Sequence, residues 1–115
     1  MTDDEMDIVF HALAHAHRRR ILDLIGAGPG LTVGHLAKNF DVSRIAIMNH
    51  LQVLERAGLV ISERAGTARK LYLNATPIRM IYERWTTDFS GYWAGHLLRL
   101  KQAAESAVRK GGQDD

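Results

Sequence analysis

Between Ser43 and Gln52 the chain sets two kinds of side chain in an order that an ordinary surface helix does not need. Ile47, His50, Leu51 and Leu54 recur at i, i+3, i+4 and i+7, the spacing of a buried stripe. Arg44, Ile45, Met48, Asn49 and Gln52 fall on another face, where a solvated helix normally carries only charge. That second set has the chemistry of base reading. A guanidinium matches guanine O6 and N7, a carboxamide matches adenine N6 and N7, and Ile45 and Met48 offer apolar surface to thymine methyls. Arg44 serves equally well as a phosphate contact, and both roles stay open at this point.

The elements that must position these side chains are legible around them. Ser43 is a natural N-cap, its hydroxyl accepting from an amide of the first turn. Gly58 supplies the left-handed residue that stops the helix, and Leu59-Val60-Ile61 begins a strand. Upstream, Thr32 caps a short helix carrying Val33, Leu36, Ala37 and Phe40, with Asp41 and Val42 turning into Ser43. Downstream, strands at 61–64 and 69–73 flank Ala65-Gly66-Thr67-Ala68. Arg64, Arg69 and Lys70 on this hairpin are candidates for phosphate contact, or alternatively guards against edge pairing. Helix, turn, helix and basic hairpin in this order predict a helix-turn-helix with a wing.

Two helices are expected ahead of this core, over 4–15 with Met6, Val9, Phe10 and Leu13 inward, and from His17 to about Ile25. The run Arg18-Arg19-Arg20 reads as a mostly solvated face with one internal ion pair. Gly26-Ala27-Gly28-Pro29-Gly30 is a connection. After Thr76-Pro77, a helix start, one long helix is expected to about Lys110 with a kink at Gly91. Its apolar stripe includes Trp85, Phe89, Trp93, Leu97 and Leu100. So long a stripe is hard for one small domain to cover, which predicts a homodimer. The interface would draw on Met6, Val9, Phe10 and Leu13 as well.

Composition narrows the function classes. The net charge is only +2, yet residues 32–73 hold six Lys/Arg against three Asp/Glu, a local excess suited to nucleic acid. The absence of cysteine excludes disulfides, thiolate metal sites and cysteine nucleophiles. His11 and His15 share the i, i+4 spacing and His17 is near, but no acid or thiolate is spaced to complete a site. No metal and no cofactor are therefore expected. GAGPG lacks the lysine of a phosphate-binding loop, and no nucleophile has an evident base, so an enzyme is not expected. With no signal peptide and no long apolar run, the expected location is cytoplasmic and not in a membrane.

Three segments together carry a family resemblance: HALAHAHRRRIL, LTVGHLAKNFDVSRIAIMNHLQVLERAGLV, and the hairpin from Glu63 to Leu73. They resemble the ArsR/SmtB family of small repressors. The C-terminal IRMIYERWTTDFSGYWAGHLLRLK looks most like the metal-independent branch. Thr32 and Gly34 stand where many metal-sensing members place cysteines. Met48 and Asn49 depart from the family's commonest recognition-helix pattern, and His35 stands where a glutamate often closes a capping box. The resemblance implies a mainly α fold with a small β-hairpin, a winged helix-turn-helix with N- and C-terminal dimerisation helices. It also implies a single domain over 1–110, with helix-turn-helix 32–57, wing 59–74, C-terminal helix 77–110 and a disordered tail at 111–115. The function implied is sequence-specific binding of double-stranded DNA by a homodimeric repressor at an imperfect palindrome. The candidate DNA-binding residues are Thr32, Ser43, Arg44, Ile45, Met48, Asn49, Gln52, Arg64, Arg69 and Lys70. The alternatives are a winged-helix module that binds a protein, and a metal-responsive repressor with a histidine-based site. No small-molecule effector can be named from these residues.

Overall fold

Thr2 opens the first helix with a reciprocal cap: its hydroxyl accepts from the Glu5 amide at 3.1 Å, and the Glu5 carboxylate accepts from the Thr2 amide. In the computed structural model, which describes residues 1–86 and 91–113, this gives α1 over Asp3–Leu13. The helix ends earlier than its apolar spacing predicts. His15 turns extended, at φ −140° and ψ 129°, and its ring Nδ1 accepts from the His17 amide to cap α2, Ala16–Ala27. His11 and His15 consequently do not share a helical face.

A two-residue strand β1, Leu31–Thr32, runs directly into α3, Val33–Ala37, with Thr32 capping the His35 amide at 3.2 Å. The His35 ring bonds the Thr32 hydroxyl at 3.0 Å, so this residue also engages the cap, though through the side chain. Phe40 lies beyond the helix end, where Asn39 donates its side-chain amide to the His35 carbonyl. Ser43 then caps α4, Arg44–Arg56, accepting from the Ala46 amide at 3.1 Å. At the far end Gly58 takes φ +76°, its amide bonds Glu55 O, and the Leu59 amide bonds Leu54 O. These two bonds satisfy carbonyls that the helix leaves over, and Leu54 meets Leu59 beneath them in the core.

The wing is β2, Val60–Ala65, and β3, Ala68–Leu73, in antiparallel register from Val60 opposite Leu73 to Ala65 opposite Ala68. Gly66 supplies the positive φ that a two-residue hairpin turn needs at its first position. The sheet is three-stranded, in the order β1-β3-β2, with Leu31 opposite Leu71. The third strand was not foreseen, because two residues are too few to show alternation.

One core joins these elements. Ile21, Ile25, Leu36, Ile47, Leu51, Leu54, Leu59 and Leu71 are fully buried, each such side chain contributing about 1.5–3 kcal/mol of apolar transfer. Met6 and Val9 are buried too, at 8% and 2% exposure. They belong largely to the chain's own interior, which leaves them little surface for the dimer interface expected of them. Leu13 packs against the same core, and among the four named residues of α1 only Phe10 is exposed.

The chain divides into two compact units, Met1–Ile81 and Tyr82–Asp115. The expected long helix is described as α5, Thr76–Thr86, and α6, Gly91–Gln113. The start of α5 is capped differently from expectation. Thr76 is already helical, and the Asn74 side chain accepts from its amide at 3.2 Å. The tail expected to be disordered from 111 is helical through Gln113. Phe89 lies outside the described residues. Within the second unit Trp85, Trp93, Leu97 and Leu100 are all exposed by about half, and Trp93 meets His96 edge to face.

Replacing Gly58 by alanine should cost about 1–2 kcal/mol, the strain of a left-handed L-residue, because an added Cβ meets nothing closer than ordinary contact. Urea unfolding measures this, and a midpoint equal to the parent's would show that the helix stop tolerates a side chain.

Candidate nucleic-acid interface

The inward face of α4 is spent on the core, and this fixes what the other face presents. With Ile47, Leu51 and Leu54 at 0% exposure, Ile45 stands 71% and Met48 45% exposed. Arg44, Asn49 and Gln52 are exposed beside them. Isoleucine and methionine are thus exposed side by side with polar groups on one helix face.

The fold brings this face against the wing. Thr32, Val33, Gly34, Arg44 and Met48 line a concavity of about 300 Å³ together with Thr67, Ala68 and Arg69 of the hairpin. A second one, about 280 Å³, lies between Met48, Asn49, Gln52, Glu55 and Arg69. Thr32, Arg44, Met48, Asn49, Gln52 and Arg69 of the expected set are thus gathered around adjoining hollows. Ser43 is occupied as the cap of α4, at the end of the same helix.

The three wing cations are not equivalent, although the sequence offers them as a set. Arg69 lies opposite Arg64 in the register and Lys70 lies opposite Glu63. Alternation along the strand therefore puts Arg69 and Arg64 on one face and Lys70 on the other. Two like charges directly opposite repel. Here Arg69 is drawn to Glu55 of α4, with which it forms a short, charge-assisted hydrogen bond. Arg64 and Lys70 are exposed. Glu55 therefore ties the wing to α4 and neutralises one of the three wing cations. Sequence spacing gave no sign of this pair, which joins a helix to a strand across the hairpin.

Behind α4 the basic run behaves otherwise than expected. Arg18 is 8% exposed. Its Nε donates to Ala12 O at 2.8 Å and Nη2 to His11 O at 3.0 Å, while Nη1 lies 3.3 Å from Nδ1 of His50. Among the described residues it forms no ion pair; it donates instead to carbonyls at the end of α1, of which His11 O also accepts from the Ala14 amide. Arg19 does the same at Leu13 O, and the Arg20 guanidinium lies over the Phe40 ring. His50 is a structural hydrogen-bond partner. Since a guanidinium only donates, Nδ1 of His50 accepts. Partial burial, then the neighbouring His15, Arg18 and His17, holds His50 below the ordinary 6.5. His15 is likewise lowered, by desolvation first and then by Arg18, His17 and Arg19.

A capped, outward-facing second helix beside a small antiparallel wing defines a winged helix-turn-helix DNA-binding protein. Comparison with known proteins agrees. A helix-turn-helix domain family matches residues 13–63. The chain is 37% identical over 100 residues to the HTH-type transcriptional regulator Rv2034 of Mycobacterium tuberculosis, covering 87% of this chain and 89% of that one. It is 35% identical over 74 residues to the transcriptional repressor SdpR of Bacillus subtilis, covering 64% and 81%. Among solved structures it resembles an ArsR-like transcriptional regulator from Rhodococcus sp. RHA1, at TM-score 0.67 and 31% identity over 92% of this chain and 98% of that one. It also resembles a homodimeric winged helix-turn-helix DNA-binding domain from Mycobacterium bovis, at TM-score 0.60 and 27% identity, covering 71% and 82%. The chain belongs to the ArsR family of winged helix-turn-helix regulators and is a DNA-binding transcriptional regulator.

Glu55→Gln should release Arg69 and remove a negative charge from the groove. Affinity should rise on operator and random DNA alike, and the log–log salt dependence should steepen by about one unit. Titrations at several salt concentrations read this out, and an unchanged slope would leave Arg69 with a purely structural role.

Proposed function

We propose that the protein is a homodimeric repressor that binds an imperfect palindromic operator, with α4 of each copy in the major groove. The observation that carries this reading is the exposed face of α4. Arg44 addresses guanine, Asn49 adenine, and Ile45 and Met48 the methyls of thymine, with Gln52 one turn further along. Thr32 and Ser43, at the N-termini of their helices, approach phosphates, as do Arg64 and Lys70 on the wing. Arg69 contributes less, since Glu55 already holds it. Among the described residues no helix is long and apolar enough to cross a membrane.

The dimer seam draws on α5 and α6, where Trp85, Trp93, Leu97 and Leu100 expose apolar surface that the chain itself leaves uncovered. Phe10 of α1, 46% exposed, is a further contributor. The homodimeric state of the Mycobacterium bovis relative supports the same arrangement. Two recognition helices held about 34 Å apart would engage successive major grooves, which is why the operator should be a palindrome.

Gel-shift titrations test the reading. Arg44→Ala and Asn49→Ala should each weaken operator binding by about tenfold or more, from about 1–3 kcal/mol per bidentate pair, and leave random-sequence binding nearly intact. Equal losses on both DNAs would reduce these side chains to phosphate contacts. For the seam, Leu97→Glu puts a carboxylate where an apolar face must dehydrate, a cost that an unpaired charge cannot recover. Leu97 is exposed in the single chain, so the variant should fold, sediment as a monomer and lose tight operator binding. A Leu97→Glu protein that remains dimeric would move the interface elsewhere.

A further inference from the structure

The fold gathers three imidazoles that the sequence keeps far apart. His15 caps α2, His17 lies in its first turn, and His50 comes from the middle of α4. Their ring centroids are 5.2 Å apart for His15 and His17, 4.5 Å for His15 and His50, and 5.7 Å for His17 and His50. One nitrogen from each lies within 4.8 Å of the others, and all three side chains are half-buried. Aromatic packing alone does not call for three titratable rings at one junction. Phe40, edge-on to His17, closes one side of the group.

We propose that His15, His17 and His50 form a binding site for a divalent transition metal of the zinc type, with three imidazole ligands and a fourth position open to water. The ligand chemistry selects the metal class. Imidazole suits zinc, cobalt, nickel and copper, whereas calcium and magnesium require oxygen ligands that this group lacks. Tetrahedral zinc with bonds of about 2.0–2.1 Å sets its ligand atoms about 3.3 Å apart, so ring rotations of about an ångström close the site.

Two existing bonds are exchanged if the metal takes the Nδ1 atoms: the His15 cap on the His17 amide and the contact of His50 with Arg18. Arg18 stays held by Ala12 O and His11 O, and these carbonyl dipoles offset part of its repulsion of a cation. The occupied site would brace the start of α2 against the recognition helix, next to Asn49. That consequence rests on the DNA-reading role of α4; the metal site does not.

Titration of tag-free, DNA-free protein with Zn²⁺ and with Co²⁺ tests the proposal. One Zn²⁺ per chain should bind and raise the thermal midpoint, Co²⁺ should give the visible absorption of a four-coordinate centre, and the ring resonances of His15, His17 and His50 should shift. His17→Ala should weaken binding by about 100-fold or more, at least the scale of losing a supporting group around a metal. His50→Gln, which keeps an acceptor for Arg18, should do the same with the metal-free fold intact by circular dichroism. His35→Ala should bind as the parent does. Failure of the parent to take up a stoichiometric metal, or undiminished affinity in a folded His17→Ala protein, would overturn the assignment whatever the protein does on DNA.

Discussion

The buried guanidinium of Arg18 is the interaction on which the arrangement of the DNA-reading unit depends. A helix leaves its last carbonyls short of donors, and at the end of α1 Ala12 O and His11 O, the latter also accepting from the Ala14 amide, take further ones. Arg18 fills both from the first turn of α2 and extends a third donor toward His50 of α4. A cation at a helix C-terminus is favoured by the dipole as well as by the hydrogen bonds. One side chain thus holds three helices at a single junction. Because α4 is among them, the direction in which its outer face points is decided partly there, on the inner side of the helix.

The reading surface follows from opposite demands on one helix. Ile47, Leu51 and Leu54 anchor α4 in the core, and the cap at Ser43 and the stop at Gly58 set its two ends. With rotation and length so constrained, Arg44, Ile45, Met48, Asn49 and Gln52 have one direction left to face. The Glu55–Arg69 pair then fixes the wing to that helix, at the cost of a free cation. One wing cation is thereby neutralised, and the remaining wing charges, Arg64 and Lys70, lie on different faces of the hairpin.

The second unit is governed by a different imbalance. Residues of α5 and α6 carry more apolar surface than the chain covers, with Trp85, Trp93, Leu97 and Leu100 about half exposed. The first unit has the opposite character, since its apolar positions on α1, apart from Ile8 and Phe10, are consumed by its own core. The residues that fold the first unit, Met6 and Val9 among them, are thus distinct from those that leave apolar surface exposed.

What the sequence determined by itself is what depends on neighbours along the chain: the caps at Thr32 and Ser43, the stop at Gly58, the 3.6-residue stripe of α4 and the hairpin strands. Each is set by local backbone chemistry, and the two faces of α4 follow from periodicity alone. Tertiary structure decided everything that joins distant segments. It shortened α1 so that His15 could cap α2, turned Arg18 inward, added β1 as an edge strand beside β3, and paired Glu55 with Arg69. It also brought His50 to His15 and His17. These outcomes depend on which surfaces meet once the core has collapsed. A one-dimensional pattern records spacing within a helix or strand and carries no distance between them.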